Sequence, residues 1–168
     1  SRKNFRKSLA LDIALKILNR PAFFIKKTLK YALNMANDVT FSYAKGIFQR
    51  DIVTVSISCS SPDNLADSLK VFGYLKNKLL TLGVSDNELE IIKRNEKLAQ
   101  AYQKDDVEHI ANHFGWFLAC GYSLKDIQIS DEIISSITTS ECNRVLREVF
   151  SPIPKAQLRT IPKDYNRD

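Results

Sequence analysis

Glycine and proline are scarce, five of each in 168 residues, and no low-complexity tract or internal repeat appears. That excludes a collagen-like, linker-dominated or disordered chain. Cysteine is equally sparse: Cys59, Cys120 and Cys142 stand far apart, so they form neither a paired disulfide framework nor a tight thiolate metal site. Their expected role is as small core residues. No run of about 18 apolar residues exists, which excludes a membrane-spanning helix, and no signal peptide with an apolar centre and small-residue cleavage site is present. There is no Gly-x-Ser-x-Gly elbow and no Gly-rich phosphate loop after a strand, so the common serine-hydrolase and nucleotide-binding sites are absent.

What is there is a chain 44% hydrophobic, long enough to bury a sizeable core as one domain. The formal charge is +6, with basic residues gathered in the first third at Arg2, Lys3, Arg6, Lys7, Lys26, Lys27 and Lys30. Such charge would serve nucleic acid only when joined to a readable module or stacking platform, and neither is visible. Nucleic acid is therefore not an expected partner, and no membrane contact is expected.

Apolar residues at Phe5, Leu9, Ile13 and Ile17, widened by Leu11, Leu15 and Leu18, predict a first helix covered on much of its surface and stopped by Pro21. The pattern is already running at Ser1, which points to a segment of something longer. Residues 23–35 read either as helix or as variable loop. The period then changes to two: Val39, Phe41 and Tyr43, then Val53, Val55, Ile57 and Cys59, alternate with Thr and Ser, giving two antiparallel strands each with an apolar and a hydroxyl-rich face. Ser61-Pro62 opens a helix with Leu65, Leu69, Phe72, Leu75 and Leu79 inward, ending at Gly83. Ser85 and Glu88 make a capping box for the next helix, with Leu89, Ile92, Leu98 and Tyr102 inward. Asp105 or Asp106 starts a third, bearing Val107, Ile110, Phe114, Phe117 and Leu118 and ending near Gly121. After the acidic stretch Ser130 to Ile134, Thr138 and Glu141 box the start of a helix with Cys142, Val145, Leu146 and Val149 inward, and a last strand is expected over Ala156 to Ile161. Strands grouped together and helices in runs predict an α+β fold, an antiparallel sheet with helices packed on one face, in a single domain over 1–168.

His109 and His113, the only histidines, stand four apart on a helical pattern, where two rings could share a metal. No Glu lies between them to act as general base, and neither His-Glu-x-x-His nor its inverse, His-x-x-Glu-His, occurs anywhere in the chain. Asp105-Asp106 and Asp131-Glu132 lie at helix starts, where the helix dipole explains them. No catalytic residue and no metal ligand is assigned.

The run Asp63 to Leu69, followed by Leu79 to Leu89, resembles the helix-turn-helix of pitrilysin/insulinase-type zinc metallopeptidase domains. Ile137 to Val145 is similar to the closing helix of those domains, leading into a final strand over Pro154 to Pro162, and Leu15 to Arg20 is similar to the helix that opens the family's second half. The family has two related halves facing each other around a chamber, with the inverted zinc motif in one half only. The resemblance therefore implies a non-catalytic half that shapes the chamber and guides peptide to zinc held by a catalytic half of the same or a sister chain. It implies peptide as substrate and no cofactor in this chain. It also implies an Arg and a Tyr that assist peptide binding. Arg20 and Tyr43 lie in roughly the corresponding region and are the substrate-contacting candidates, although Pro21 and the Lys-rich stretch depart from the pattern, so neither is carried over as catalytic. An exposed sheet edge could add a peptide as an extra strand. The alternative is a proteolytically inactive scaffold or binding module using the basic first third to hold an acidic partner. The compartment stays open, bacterial periplasm and cytoplasm both fitting.

Overall fold

The computed structural model describes residues 2–44, 52–103, 107–151 and 156–160, the side chains of 2–4, 100–103, 107–110 and 113 lying outside that description. The first helix, α1 (Arg2–Leu18), is the hub. Phe5, Leu9, Ala10, Leu11, Ile13, Ala14, Leu15, Ile17 and Leu18 are all buried, because helices and strand pack around it rather than on one stripe. It ends three residues before Pro21, as the proline predicts. The ambiguous stretch after it is helical: α2 (Phe24–Lys26) runs directly into a π-helix (Lys27–Ala32), and the chain leaves through Asn34 at φ 50.

Two strands follow, β1 (Asp38–Ala44) and β2 (Ile52–Ser58), antiparallel, with Phe41 opposite Val55. Thr40, Ser42, Thr54, Ser56 and Ser58 are exposed on one face, while Val39 and Phe41 are buried on the other, against the helices. The fold is α+β, a small antiparallel sheet with helices on one face. Coverage is uneven: beneath β2, Val53, Val55 and Ile57 are only half-buried.

The α3 helix (Asp63–Leu82) starts where Ser61 Oγ accepts the Asp63 N–H at 3.3 Å, with Pro62 already at helical dihedrals. Leu75 and Leu79 are buried, whereas Leu65, Leu69 and Phe72 are half-buried, so the predicted stripe packs firmly only toward its C-terminal end. Gly83 ends it at φ 72, ψ −166, a conformation essentially restricted to glycine. Asn143 grips this turn: its Oδ1 accepts the Val84 N–H at 2.8 Å and its Nδ2 donates to Val84 O at 3.4 Å. A Cβ at Gly83 would stand 2.5 Å from the Asn143 side chain.

Next comes α4 (Asp86–Gln103), with Ser85 N–H donating to Glu88 Oε2 at 2.8 Å and Glu88 N–H to Ser85 Oγ at 3.3 Å in the expected capping box. Leu89 and Ile92 are buried, but Leu98 is exposed, because α4 leaves the core after its first turns; Tyr102 lies outside the described side chains. In α5 (Val107–Ala119) Phe117 is buried against Phe5, their rings 5.7 Å apart. Leu118, predicted inward, is exposed, being about 100° round the helix from Phe117. The acidic stretch lies in α7 (Ser130–Ser136), which follows another short helix, α6 (Leu124–Gln128), boxed by Ser123 and Asp126; the sequence pattern resolved neither. The last helix, α8 (Thr139–Phe150), opens on the Thr138–Glu141 box and buries Cys142, Val145, Leu146 and Phe150 against α1 and β1. The expected final strand does not form: Ala156 to Thr160 are exposed and outside regular structure, and Ile161 lies outside the described residues. Among the described residues β1 and β2 pair only with each other, so a strand pattern at 156–160 finds no partner there.

Candidate peptide-docking edge

The hairpin has two outer edges, and they differ. Asn19, one residue past the end of α1, turns its carboxamide along the outside of β1: Nδ2 donates to Phe41 O at 2.7 Å and Oδ1 accepts the Phe41 N–H at 2.9 Å. A carboxamide presents the same donor and acceptor as a peptide unit, so Asn19 stands in for a neighbouring strand. The bracket also fixes the phase of the ladder. In an antiparallel pair, main-chain groups point alternately toward and away from the partner strand, and opposite residues behave alike. Since Phe41 points outward, so does Val55 opposite it, and Val53 and Ile57 with it. These three residues present N–H and C=O groups along the outer edge of β2, where no bond to another described residue closes them. The β1 edge is thus stoppered at Phe41, while among the described residues the β2 edge is open.

Arg20 and Tyr43, the substrate-contacting candidates, each lie within two residues of this bracket, Arg20 beside Asn19 and Tyr43 beyond Phe41 on the strand. Arg20 is half-buried in the bend after α1, its carbonyl accepting the Phe23 N–H at 2.9 Å. Tyr43 is half-buried and its Oη donates to Ser8 Oγ on α1 at 3.1 Å. That places the ring on the helix-covered side of the sheet, away from the hydroxyl-rich face. Asn19 was not singled out from the sequence; the signal is a carboxamide where a helix is about to be turned by proline.

The basic first third is largely consumed by the fold. Arg6 grips Glu141 with two contacts, Nε to Oε1 at 2.6 Å and Nη2 to Oε2 at 2.8 Å, and also donates to Ser136. Lys7 pairs with Glu148, and Lys16 with Asp12 and Glu96. Lys26 lies 2.9 Å and Lys30 3.9 Å from Asp38 Oδ1. That carboxyl is held below its usual range, chiefly by Lys26, with the Val39 N–H and Lys30 contributing. Surface pairs of this kind set geometry more than they hold a partner.

Among the described residues no group of three or more His, Cys, Asp or Glu side chains is placed to hold a metal. His109 and His113 lie on α5 with their side chains outside the description. Cys142 is buried, its thiol pushed up to about 11 by that burial and by Glu141, and it points at Ala10 O at 3.8 Å, so it is neither a ligand nor a nucleophile at neutral pH. Cys59 lies 3.5 Å from the buried Ser68 hydroxyl. Among the described residues, no helix is long and apolar enough to cross a membrane.

No protein-family model matches the sequence, and no curated protein does. Solved structures do. A protease from Helicobacter pylori superposes with a TM-score of 0.74 at 22% identity, over 86% of this chain and 35% of that one. A Bordetella pertussis Tohama I protein named as a zinc protease gives 0.73 at 15% identity, over 86% and 79%. The periplasmic protease PqqL from Escherichia coli gives 0.71 at 18%, over 87% and 16%. The chain has the fold of a protease domain. It spans about a third of the Helicobacter pylori protease and about a sixth of PqqL.

Proposed function

We propose that this chain is the non-catalytic half of a pitrilysin/insulinase-type zinc metallopeptidase, one part of a larger two-half enzyme whose chamber it walls. Its role is to hold a peptide for cleavage at zinc carried by the other half. The observation that carries this reading is the open β2 edge on a fold shared with three solved proteases. An extended peptide laid along Val53, Val55 and Ile57 would gain main-chain bonds indifferent to its sequence, which is what a chamber serving varied substrates needs. The exposed hydroxyls of Thr54, Ser56 and Ser58 give the adjoining wall a wet, uncharged surface. The sequence holds neither the inverted zinc motif nor its opposite, so hydrolysis would fall to the partner half.

The test is reconstitution. This chain alone, supplied with zinc, should not cleave a fluorogenic peptide; joined to the catalytic half it should restore cleavage that a chelator removes. Turnover by this chain alone, lost in His109→Ala or His113→Ala, would overturn the reading.

A further inference from the structure

Main-chain bonds along the β2 edge are indifferent to the sequence of what they hold, but the sheet face beside that edge is not. In a strand, residues two apart share both the direction of their main-chain groups and the face of their side chains. Val53, Val55 and Ile57, whose N–H and C=O point out of the open edge, therefore share one side-chain face, the one turned to the helices. Under β1 the cover of that face is finished where Phe41 is buried between Phe72 of α3 and Phe150 of α8, ring centres 6.3 Å and 6.1 Å away. Under β2 the cover stops short: Val53, Val55 and Ile57 touch the core yet stay half-buried. The contact of Phe72 with Phe41 places α3 on the same side of the sheet, and its first half is left in the same state, with Leu65, Leu69 and Phe72 half-buried. At about 100° per residue these three fall within about 60° of one another, while Asp63, Asp67 and Lys70 fall around the opposite side of the helix. Neither surface carries charge, β2 having none from Ile52 to Ser58.

We infer that the β2 edge selects extended peptide segments in which apolar residues recur at every second position, in step with Val53, Val55 and Ile57. This rests on the peptide-docking reading of that edge and names the class of substrate it takes. A strand added to an edge sends its side chains alternately to the two faces of the sheet, whether it runs parallel or antiparallel. One set lies beside Val53, Val55 and Ile57 and extends the apolar layer that is complete at Phe41. The other lies beside Thr54, Ser56 and Ser58, whose exposed hydroxyls suit polar residues. An acidic or basic run finds no counter-charge on either face of β2. Apolar area removed from water on the helix side adds what the main-chain bonds lack, a dependence on the sequence of the peptide.

Fluorescence anisotropy on this chain tests it with two labelled peptides of identical composition, each ended by lysine to stay soluble. One carries four valines alternating with threonine and serine. The other carries the same residues with the valines in two adjacent pairs, which divides them between the faces. The alternating peptide should bind about tenfold tighter, since two more valines reach the apolar face. Val55→Thr keeps the β-branched shape but sets a hydroxyl on that face, and should cut the preference to about threefold. Equal affinities, both weakened alike when Val55→Pro removes an outward N–H, would overturn the inference and leave peptide docking at β2 standing. No binding of either peptide would overturn both. A preference undiminished in Val55→Thr and Val55→Pro would overturn the inference too, because the alternating peptide would then be held elsewhere. Neither zinc nor cleavage enters the readout, so the reconstitution of the two halves is decided separately.

Discussion

Glu141 does two jobs with one carboxylate. Its Oε2 accepts the Thr138 N–H at 3.0 Å, closing the start of α8, and the same group takes the paired contact from Arg6 on α1, 135 residues away. Arg6, followed by the Thr138 N–H, holds the carboxyl down at about 2, well below an ordinary glutamate. A lowered pKa in the fold means that the ionised form is what the fold prefers. The stabilisation is therefore complete above the ordinary glutamate range and drains away as pH falls from there toward about 2. Glu141→Gln keeps a cap acceptor but sets an amide against the guanidinium. It should cost about 1–2 kcal/mol at pH 7, the low end for charge-assisted bonds because Arg6 is about a third exposed. Urea unfolding at pH 7 and near pH 2.5 should show the gap to wild type shrinking with acid; a pH-independent gap would mean that only the cap matters. The cap half of this site is written in the Thr138-to-Glu141 spacing. The Arg6 half is not, because nothing local marks which distant cation will meet a given acid. Gly83 divides the same way: its left-handed turn is legible, while Asn143 gripping it comes from another helix.

Elements whose ends are set by local chemistry were readable. Two capping boxes, two turn glycines and one proline act within a few residues of themselves, and the helices they bound lie where the pattern places them; a third box, Ser123 with Asp126, escapes the pattern because it opens a helix of only five residues. Misread elements are those where tertiary contact decides. Leu98 has helical spacing but is exposed, and Ala156 to Thr160 are exposed and pair with no described strand. The hairpin is intermediate: its strands were clear from period-two alternation, but which edge is free depends on Asn19, whose partner is 22 residues on. Removing that bracket tests the edge assignment directly. Asn19→Ala strands the Phe41 N–H and C=O beside a buried ring, and should cost about 2–3 kcal/mol, with faster hydrogen exchange at the Phe41 amide than at the Thr40 amide, which faces β2. If Phe41 exchange is unchanged, some other group closes the β1 edge.

At the scale of the molecule, the sheet is stoppered at Phe41 on one side and, among the described residues, open on the other, and its apolar face is buried at Val39 and Phe41 of β1 but half-covered under β2. Both asymmetries point the same way, to a structure that finishes itself around α1 and leaves β2 for something else. A proline substitution separates the open edge from the hairpin that carries it. Proline removes one N–H and is tolerated on an edge strand where that N–H faces outward. At Val55 the missing donor belongs to the outer edge, since Val55 shares the outward phase of Phe41, so the β1–β2 ladder keeps its bonds. Val55→Pro should then leave the hairpin formed, with β1 amide protection retained, while on the proposed function cleavage of peptide by the joined halves should lose about tenfold in kcat/KM, the equivalent of one main-chain bond of about 1.4 kcal/mol. Thr54→Pro is the contrast. Thr54 faces β1 through its pairing with Ser42, so its substitution should break the ladder and unfold the hairpin. Unchanged kcat/KM in a Val55→Pro enzyme with an intact hairpin would show that peptide does not run along β2, and the proposed chamber role would have to rest on side chains alone.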